Sequence, residues 1–306
     1  MYNFRKKIIS INLFLMILTV IGFLLRIYQI NIPSYWLDEG HTINAIKGIY
    51  NYGFPKMISG EIYTKYWIFY YLSYFSTLIF GKNELGFRLI STIFGTIIIP
   101  LSFLFSKKIF NDYNIALLTS VLVSLSQFQI AWSRQARSYT MLQFFFLLSA
   151  YFLYNLVKKF DLKNLAYWLV SSLLCFLSHP MGGIIIPVGI TILVINYWEE
   201  IKNFDYQPNL KQRKFKLILV ILLVVFIFIG PKLIDFIQMG INKEKSVIIS
   251  YLKLILNQFL VIFSGAMIGL IYLPWKDEEI FFFLTLLLLL PLSAIFWATD
   301  IVQLRY

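Results

Sequence analysis

Charged residues are scarce in this sequence, at 14% of its 306 positions, whereas apolar residues make up 59% and aromatic residues 19%. A soluble globular chain carries roughly 25% charged residues. The mean hydropathy of +0.74 points the same way. These values exclude an ordinary soluble domain, and burial in lipid is the remaining explanation.

Residues that usually form metal, redox and nucleotide sites are also few. The single cysteine, Cys175, lies in an apolar run, so no disulfide framework and no cysteine-based metal site is predicted. The sequence has no GxGxxG or Walker A motif and no alternation of strands and helices, which excludes a built-in nucleotide-sugar or ATP domain. The net charge of +12 falls mostly in short loops, which is a topology signal and excludes nucleic acid as a partner.

Long apolar runs recur along the whole chain. A helix needs roughly 20 apolar residues to cross the hydrocarbon of a bilayer, and nine runs approach or exceed this length. We therefore predict an all-α polytopic transmembrane bundle. The nine predicted spans are Ile8–Ile30, Phe87–Phe105, Ile115–Trp132, Thr140–Val157, Leu165–Ser178, Gly182–Trp198, Leu217–Ile234, Leu254–Leu273 and Ile280–Trp297.

The orientation depends on the segment from Tyr66 to Phe80, whose Tyr and Trp content is typical of a helix at headgroup level. Treating it as interfacial places the lysines at 107–108, 158–163 and 202–216 inside. The segments at 38–39, 134–137, 179 and 305–306 then share the outer face. Residues 31–85 form the first outer loop, in which Ser34 to Gly53 is predicted to be a short helix on the membrane.

No internal repeat and no Gly/Ser-rich linker is visible, so residues 1–306 are predicted to form one membrane domain. The chain stops at Arg305-Tyr306 just after a predicted span. We expect a protein truncated at its C-terminus.

The first candidate site residues are Asp38 and Glu39, which follow Tyr35 and Trp36 directly after the first span. Asp is favoured at a helix N-terminus, so a purely structural cap is one explanation. The same position keeps Asp38 ionised, as a general base requires, while the neighbouring rings offer a stacking face for a sugar. The two acids are also candidates for holding a divalent cation together with a lipid phosphate; no other metal site is predicted.

Basic residues form the second group of candidates. Arg134 and Arg137, followed by Tyr139, are three residues apart on one face of a helix end. Arginines at a boundary can simply extend to lipid phosphates, but the positive-inside tendency disfavours them on the outer face unless they bind a phosphate ester. Lys65 is either an interfacial anchor or a further phosphate ligand. His179, at the end of a span, is either structural or a substrate contact.

Several motifs together resemble the GT-C superfamily of membrane glycosyltransferases. Within this superfamily they resemble the branch that includes the dolichyl-phosphate-mannose protein mannosyltransferases and the bacterial lipid A aminoarabinose transferases. Trp36-Leu37-Asp38-Glu39-Gly40 resembles the acidic motif of the family. Lys65 resembles the start of its Lys-Pro-Pro-Leu-Tyr stretch, with Tyr66 and Trp67 where the prolines would be. Three further motifs are similar to family patterns: Gly81-Lys82-Asn83-Glu84 with Arg88-Leu89, Ser133 to Tyr139 (SRQARSY), and His179 with Gly182.

The resemblance implies a GT-C fold with interfacial helices in the first outer loop, and a mobile outer loop at Asp235 to Ser246. It further implies a polyprenyl-phosphate sugar as donor and a lipid, protein or polysaccharide as acceptor. Asp38 would be the base of an inverting displacement, with Glu39 orienting it or the acceptor. Lys65, Arg134 and Arg137 would stabilise the departing lipid phosphate. The expected location is the plasma membrane, with the site on the extracellular or periplasmic face.

Two other functions stay open from the sequence. A transporter or lipid flippase would place ionisable residues inside spans and break helices at matching positions of two repeats. An inactive fragment or scaffold subunit of a glycosylation complex would need no base at Asp38.

Overall fold

The structure is a computed structural model that describes residues 2–57, 59–63, 65–197, 280 and 283–284. It divides the chain into two compact units, Met1–Gly183 and Ile184–Tyr306. The single membrane domain over residues 1–306 stays a prediction.

Within the described residues the chain is helical, and the only strand-like pairing is an isolated bridge between Lys56 and Ile62. The all-α prediction is confirmed. In chain order the helices of the first unit are α1 (Tyr2–Ile27), α2 (Leu37–Tyr52), α3 (Trp67–Phe80), α4 (Glu84–Phe110), α5 (Tyr113–Leu125), α6 (Gln127–Ser133), α7 (Tyr139–Lys158) and α8 (Leu162–Ser178).

Three helices in the described part of the chain are long and apolar enough to cross a membrane by themselves: Ile9–Ile27, Glu84–Phe110 and Tyr139–Lys158. The shorter helix α8 includes the whole predicted span Leu165–Ser178. The predicted continuous span Ile115–Trp132 is wrong in one respect, because it is two helices, α5 and α6, bent by 55° at Ser126. Counted as one broken span, this pair is the fourth candidate.

Helix α4 is the centre of the first unit and contacts α1, α3, α5, α6 and α7. It begins where the Asn83 side chain accepts a hydrogen bond from the backbone N–H of Gly86, 3.0 Å away, which satisfies one of the free donors of the first turn. It ends at Asn111, whose φ of 50° is left-handed. Sixteen of its residues are buried. Helix α2 packs against α3, and α8 packs against α7 and α3.

Residues 31–85, the predicted first outer loop, contain the two short helices that the sequence predicts. Helix α2 confirms the helix expected between Ser34 and Gly53; Ile46 on its inner face is fully buried, and Ile43 and Tyr50 pack beside it. Helix α3 has 14 residues, or about 20 Å at 1.5 Å per residue, against about 30 Å of hydrocarbon. This length fits an interfacial helix. Its orientation in the bilayer stays a prediction.

The described part of the second unit is mainly α9 (Ile185–Asn196), which follows a 3₁₀ turn at Pro180–Ile184 and lies in the predicted span Gly182–Trp198. The predicted spans 217–234 and 254–273 and the predicted mobile loop 235–246 lie outside the described residues. So do most of the span 280–297 and the Arg305-Tyr306 pair.

Candidate functional site

The two acids at the start of α2 have different environments. The side chain of Glu39 is 1% exposed, whereas that of Asp38 is 48% exposed. Consecutive residues of an α-helix differ by about 100° around its axis, so one carboxylate faces the protein and the other faces away from the core. The adjacent acids are therefore available to different partners.

Glu39 is held by four hydrogen bonds. Its Oε1 accepts from Arg88 Nε at 2.8 Å and from the backbone N–H of Ala136 at 2.7 Å. Its Oε2 accepts from Arg88 Nη2 at 2.8 Å and from the backbone N–H of Trp36 at 2.9 Å. Burial raises the pKa of the Glu39 carboxyl, but the hydrogen bonds from Arg88, Ala136 and Trp36 outweigh burial and hold the pKa below its ordinary value. Glu39 is thus a buried anion.

Arg88 uses its remaining donors on the chain that follows α1. Its Nη1 donates to the carbonyls of Ile30 at 2.7 Å and Pro33 at 2.9 Å, and its Nη2 donates to the carbonyl of Ser34 at 3.1 Å. This one buried guanidinium therefore ties α4 to both the connection before α2 and the acid inside α2. Sequence reasoning noticed Arg88 only as part of a motif, although an arginine in an apolar helix signals a paired charge.

Tyr35 lies beside this ion pair. Its ring centroid is 5.1 Å from the guanidinium carbon of Arg88 and 6.1 Å from the ring of Phe87. Burial, reinforced by the charge of Glu84, raises the pKa of Tyr35 to about 12. Tyr35 stays a neutral phenol that packs against Arg88.

Arg137 is the basic residue that contacts Asp38. Its Nη1 donates to the backbone carbonyl of Asp38 at 3.1 Å, and its Nη2 lies 3.7 Å from Asp38 Oδ2 and 3.3 Å from the hydroxyl of Tyr139. Its Nε is buried and has no hydrogen-bond partner. Burial lowers the pKa of Arg137, but Tyr139, Asp38 and Tyr66 together raise it above its ordinary value. The site therefore combines a fixed cation, with a donor still to be satisfied, and a half-exposed carboxylate.

Arg134 has a different environment. Its Nη2 donates to the carbonyl of Gln29 at 3.1 Å, in the turn after α1. Gln29 has a left-handed φ of 50°. The two predicted phosphate ligands Arg134 and Arg137 thus start from one loop and contact different parts of the chain.

His179 lies between two tyrosine rings. Its ring centroid is 5.0 Å from that of Tyr66 and 5.6 Å from that of Tyr139, and the residue is 4% exposed. Its Nδ1 accepts a hydrogen bond from the backbone N–H of Met181 at 3.1 Å, which assigns the ring proton to Nε2. Burial, then the charges of Arg137 and Lys65, lowers the pKa of His179 to about 4. The imidazole is therefore a neutral donor at physiological pH.

Lys65 is exposed, and its charge acts on His179. The next residue, Tyr66, caps α3 with a left-handed φ of 62°, a conformation that is strained for a bulky side chain. Such strain commonly occurs at functional sites. The ring of Tyr66, the residue after Lys65, lies against the ring of His179. Contacts thus join Asp38, Arg137, Tyr139 and His179, and Lys65 acts on this group through its charge.

Aromatic rings continue from this group toward the start of α2. Trp132 lies 4.6 Å from Tyr139 and 6.3 Å from Trp36, measured between ring centroids. Trp36 is 52% exposed. A sugar ring next to Asp38 therefore has an exposed indole available for stacking.

The two acids do not fit the divalent cation considered from the sequence. All four lone-pair positions of Glu39 accept hydrogen bonds from the protein, which leaves Asp38 as the only free carboxylate of the pair. Within the described ranges no group of three or more His, Cys, Asp or Glu side chains is arranged to hold a metal ion. A hard cation needs several free oxygens. We therefore derive no step through a metal.

Comparison with known proteins decides the family. The family model described as dolichyl-phosphate-mannose-protein mannosyltransferase matches residues 67–231, a little over half of the chain. The chain belongs to this family. The members of the mannosyltransferase family are membrane glycosyltransferases of the GT-C type, so the resemblance seen in the motifs is confirmed. The matched region includes Arg88, Arg134, Arg137, Tyr139 and His179.

One relative is a protein of Aquifex aeolicus (strain VF5) that is named only as an uncharacterized protein. It is 28% identical over 178 residues, which is 56% of this chain and 35% of the relative. The chain thus spans about a third of the length of this relative. No solved structure matches the chain.

Proposed function

We propose that this mannosyltransferase-family protein transfers a sugar from a polyprenyl-phosphate-linked donor to an acceptor hydroxyl, with inversion at the anomeric carbon. The observation that carries the proposal is the placement of the half-exposed Asp38 carboxylate 3.7 Å from the Arg137 guanidinium. An inverting transfer needs a base for the acceptor and a cation for the leaving phosphate in one site. Family membership supports the membrane-linked donor.

In the proposed reaction Asp38 takes the proton of the acceptor hydroxyl. The acceptor oxygen forms a bond to the anomeric carbon as the bond from that carbon to the phosphate oxygen breaks. The lipid phosphate leaves with the bonding electrons, and Arg137 and Lys65 stabilise its added charge. Arg137 Nε, buried without a partner, is the donor best placed to gain from an anion.

The other site residues support this step. His179 and Tyr139 offer N–H and O–H donors beside Arg137, while Tyr35 and Trp36 flank the acidic motif. Glu39 acts through position, because its hydrogen bonds fix the first turn of α2 from which Asp38 projects. Arg134 is a second phosphate ligand at the rim, where its contact with Gln29 is exposed.

The first experiment measures release of free polyprenyl phosphate from radiolabelled polyprenyl-phosphate sugars by the purified protein in lipid. The panel of sugars is supplied with membrane extract as a source of lipid, protein and polysaccharide acceptors. We expect release by the wild type and a loss of at least a hundredfold in Asp38→Asn, the range of about 10²–10⁴ that general-base catalysis contributes.

Asp112→Asn is the matched control. Asp112 is also an Asp at a helix N-terminus, where its Oδ1 accepts from Asn114 N and Ile115 N, and asparagine keeps that oxygen. Release that is equal in the wild type and Asp38→Asn would remove Asp38 from the mechanism. No release from the wild type with any sugar would overturn the transferase and favour an inactive fragment or scaffold.

The structure gives a transporter little support. The two buried arginines of the described spans, Arg26 and Arg88, direct their donors to protein oxygens. A transport pathway requires ionisable groups that can release those partners for an ion or substrate. Release of polyprenyl phosphate only in the presence of an acceptor would separate transfer from transport.

We further propose that the site lies on the extracellular or periplasmic face of the plasma membrane. Lys107 and Lys108 end α4, and Lys158 ends α7, so these helices carry their cations at the end away from Asp38. Positive charge favours the cytoplasmic side. Cysteine placed at Lys82 or at Lys108 and labelled with a membrane-impermeant maleimide on intact cells tests this. We expect labelling at position 82 only, and the reverse pattern would invert the orientation.

A further inference from the structure

The structure assigns Arg26 as a positioning residue for the arginine loop of the site. We define the arginine loop as residues 133–139, between α6 and α7. Arg26 lies in the last turn of α1 and is completely buried, with a relative exposure of 0%. A residue so placed cannot touch substrate, and its charge must be compensated inside the protein.

The guanidinium of Arg26 bridges α1 to the break between α5 and α6. Its Nη1 donates to the carbonyls of Gly22 at 2.9 Å and Ser124 at 3.1 Å, and its Nη2 donates to the carbonyl of Val123 at 3.1 Å. Its Nε donates to the hydroxyl of Ser133 at 3.2 Å. All three nitrogens are therefore used, and they reach both helices of the broken pair.

The break explains why an arginine is present. Helix α5 ends at Leu125 and Ser126 is extended, so the carbonyls of the last turn have no partner of their own helix. Unsatisfied carbonyls are costly at membrane depth, and so is an unpaired charge. The guanidinium of Arg26 donates hydrogen bonds to these carbonyls, and the carbonyls in turn stabilise its charge. The 55° bend and the buried arginine thus stabilise each other.

Three further hydrogen bonds connect the arginine loop to α4 and α2. Thr92 Oγ1 donates to the carbonyl of Ser133 at 2.9 Å, and Ser91 Oγ donates to the carbonyl of Arg137 at 2.9 Å. The backbone N–H of Ala136 donates to Glu39 at 2.7 Å. Arg26 therefore fixes the first residue of the arginine loop, while α4 and α2 fix its middle. The loop carries Arg134 and Arg137, so Arg26 sets their position without contacting what they bind.

This inference rests on the proposed function only for the ligand of the loop, namely the donor phosphate. The placement itself is testable without substrate. Ser138 is 5% exposed and its replacement by cysteine is nearly isosteric, so Ser138→Cys gives a buried thiol inside the arginine loop. The native Cys175 is fully buried, and the unmodified protein serves as the labelling blank.

The experiment measures the rate at which a maleimide modifies Ser138→Cys in the full-length protein in lipid. We expect Arg26→Met to raise the rate by about tenfold or more, because loss of the bridge raises the population of loop-open states. Arg26→Lys, with fewer donors, should fall between. Leu18→Ala is the control, because it removes a 6% exposed side chain from the same helix without removing a side-chain donor to the break. It should leave the rate unchanged.

An unchanged labelling rate in folded Arg26→Met would overturn the inference, as would an equal rise in Leu18→Ala. If Arg26→Met does not yield folded protein, Ser133→Ala removes only the hydroxyl that Arg26 Nε contacts. We then expect a smaller rise in labelling, and no rise would count equally against the inference.

A second readout uses polyprenyl phosphate alone. Arg26→Met should weaken the binding of polyprenyl phosphate. In the transfer assay the same variant should raise the KM for the donor more than it changes kcat, because the loop is displaced while Asp38 keeps its position. If wild type binds no polyprenyl phosphate, the proposed function fails, and the labelling result still decides the role of Arg26. If binding is normal in Arg26→Met although the loop is open, Arg26 does not position the arginines.

Discussion

Arg88 and Glu39 are joined by two parallel hydrogen bonds, each 2.8 Å long, that link α4 to the first turn of α2. This bidentate geometry is the strongest form of arginine–carboxylate contact. Both side chains are at most 2% exposed. The position of Asp38 therefore depends on a pair of residues that does not include it.

Removal of one partner of this pair should be strongly destabilising. Arg88→Met leaves the Glu39 carboxylate buried without its cation, and breaking a buried ion pair in this way costs about 3–5 kcal/mol. The double variant Arg88→Met/Glu39→Leu removes both charges and should be less destabilised than the sum of the single variants. Thermal unfolding of the purified protein measures the midpoints.

Glu61→Gln is the control for this comparison, because Glu61 is exposed. It should leave the midpoint unchanged. A double variant as unstable as the sum of both single variants would mean that the two residues do not interact as the structure shows.

The stability of the protein should fall as the pH falls from about 6.5 to about 4, and part of this loss should come from His179. Its pKa of about 4 in the fold lies below the ordinary 6.5, because burial, Arg137 and Lys65 disfavour the proton. The unfolded chain binds that proton first, so acid favours unfolding over this window. His179→Gln should flatten the decline of the melting midpoint with pH.

The second histidine of the chain provides the comparison. His41 is exposed, with its Nδ1 3.1 Å from the hydroxyl of Tyr63, and His41→Gln should preserve the decline. The lowered pKa of Glu39 adds a loss of stability that begins near the ordinary carboxyl value of 4.5, at the acid end of the window, and both histidine variants share this loss. A decline that His41→Gln flattens and His179→Gln preserves would show that the neutral imidazole was assigned to the wrong residue.

A proline should not be tolerated at Tyr66. Its φ of 62° is outside the range of proline, which is fixed near −65°. Tyr66→Pro should therefore lower the melting midpoint and reduce transfer, because the turn that places Lys65 is lost. Tyr66→Gly relieves backbone strain worth about 1–3 kcal/mol, but it removes the ring from His179.

Leu162→Pro is the matched control for Tyr66→Pro. Leu162 is the first residue of α8 and follows Asp161, which is extended; proline is favoured at this position of a helix. We expect little change in its midpoint. Equal tolerance of proline at positions 66 and 162 would contradict the left-handed turn.

Two glycines of the first unit should respond to alanine in opposite ways. A methyl group at Gly95 would collide with the hydroxyl of Ser133, whereas one at Gly40 meets nothing within 4 Å. Gly95→Ala should destabilise by about 1–3 kcal/mol through overpacking and displace the arginine loop. Gly40→Ala should stabilise α2 by roughly 0.5–1 kcal/mol. Unfolding midpoints of both variants, with donor binding for Gly95→Ala, test this pair.

Hydropathy predicts the helices of this chain well, because lipid requires long apolar segments with internally satisfied backbones. It fails at Ser126, where the apolar run from Ile115 to Trp132 continues without Pro or Gly while the helix breaks. The donors that compensate the carbonyls left free by the break come from Arg26, about 100 residues away in the sequence. A local pattern contains no record of such a contact.

The candidate site is likewise only partly predictable from the sequence. Asp38, Arg137 and His179 are recognisable from motifs, and the structure brings them together. Glu39 appears in the sequence as a partner of Asp38, yet its side chain binds a residue 49 positions later. Only the fold distinguishes the half-exposed carboxylate of Asp38 from the buried one of Glu39, since both are acids at the same helix start.

The opposite environments of Asp38 and Glu39 make the site sensitive to helix phase. A shift of the start of α2 by one residue rotates every following side chain by about 100°, which would turn Glu39 away from Arg88 and Asp38 toward it. Net charge, composition and the acidic motif would all be unchanged by such a shift. Arg88 holds the segment from Ile30 to Ser34 by three hydrogen bonds. This segment therefore determines the residue at which α2 begins.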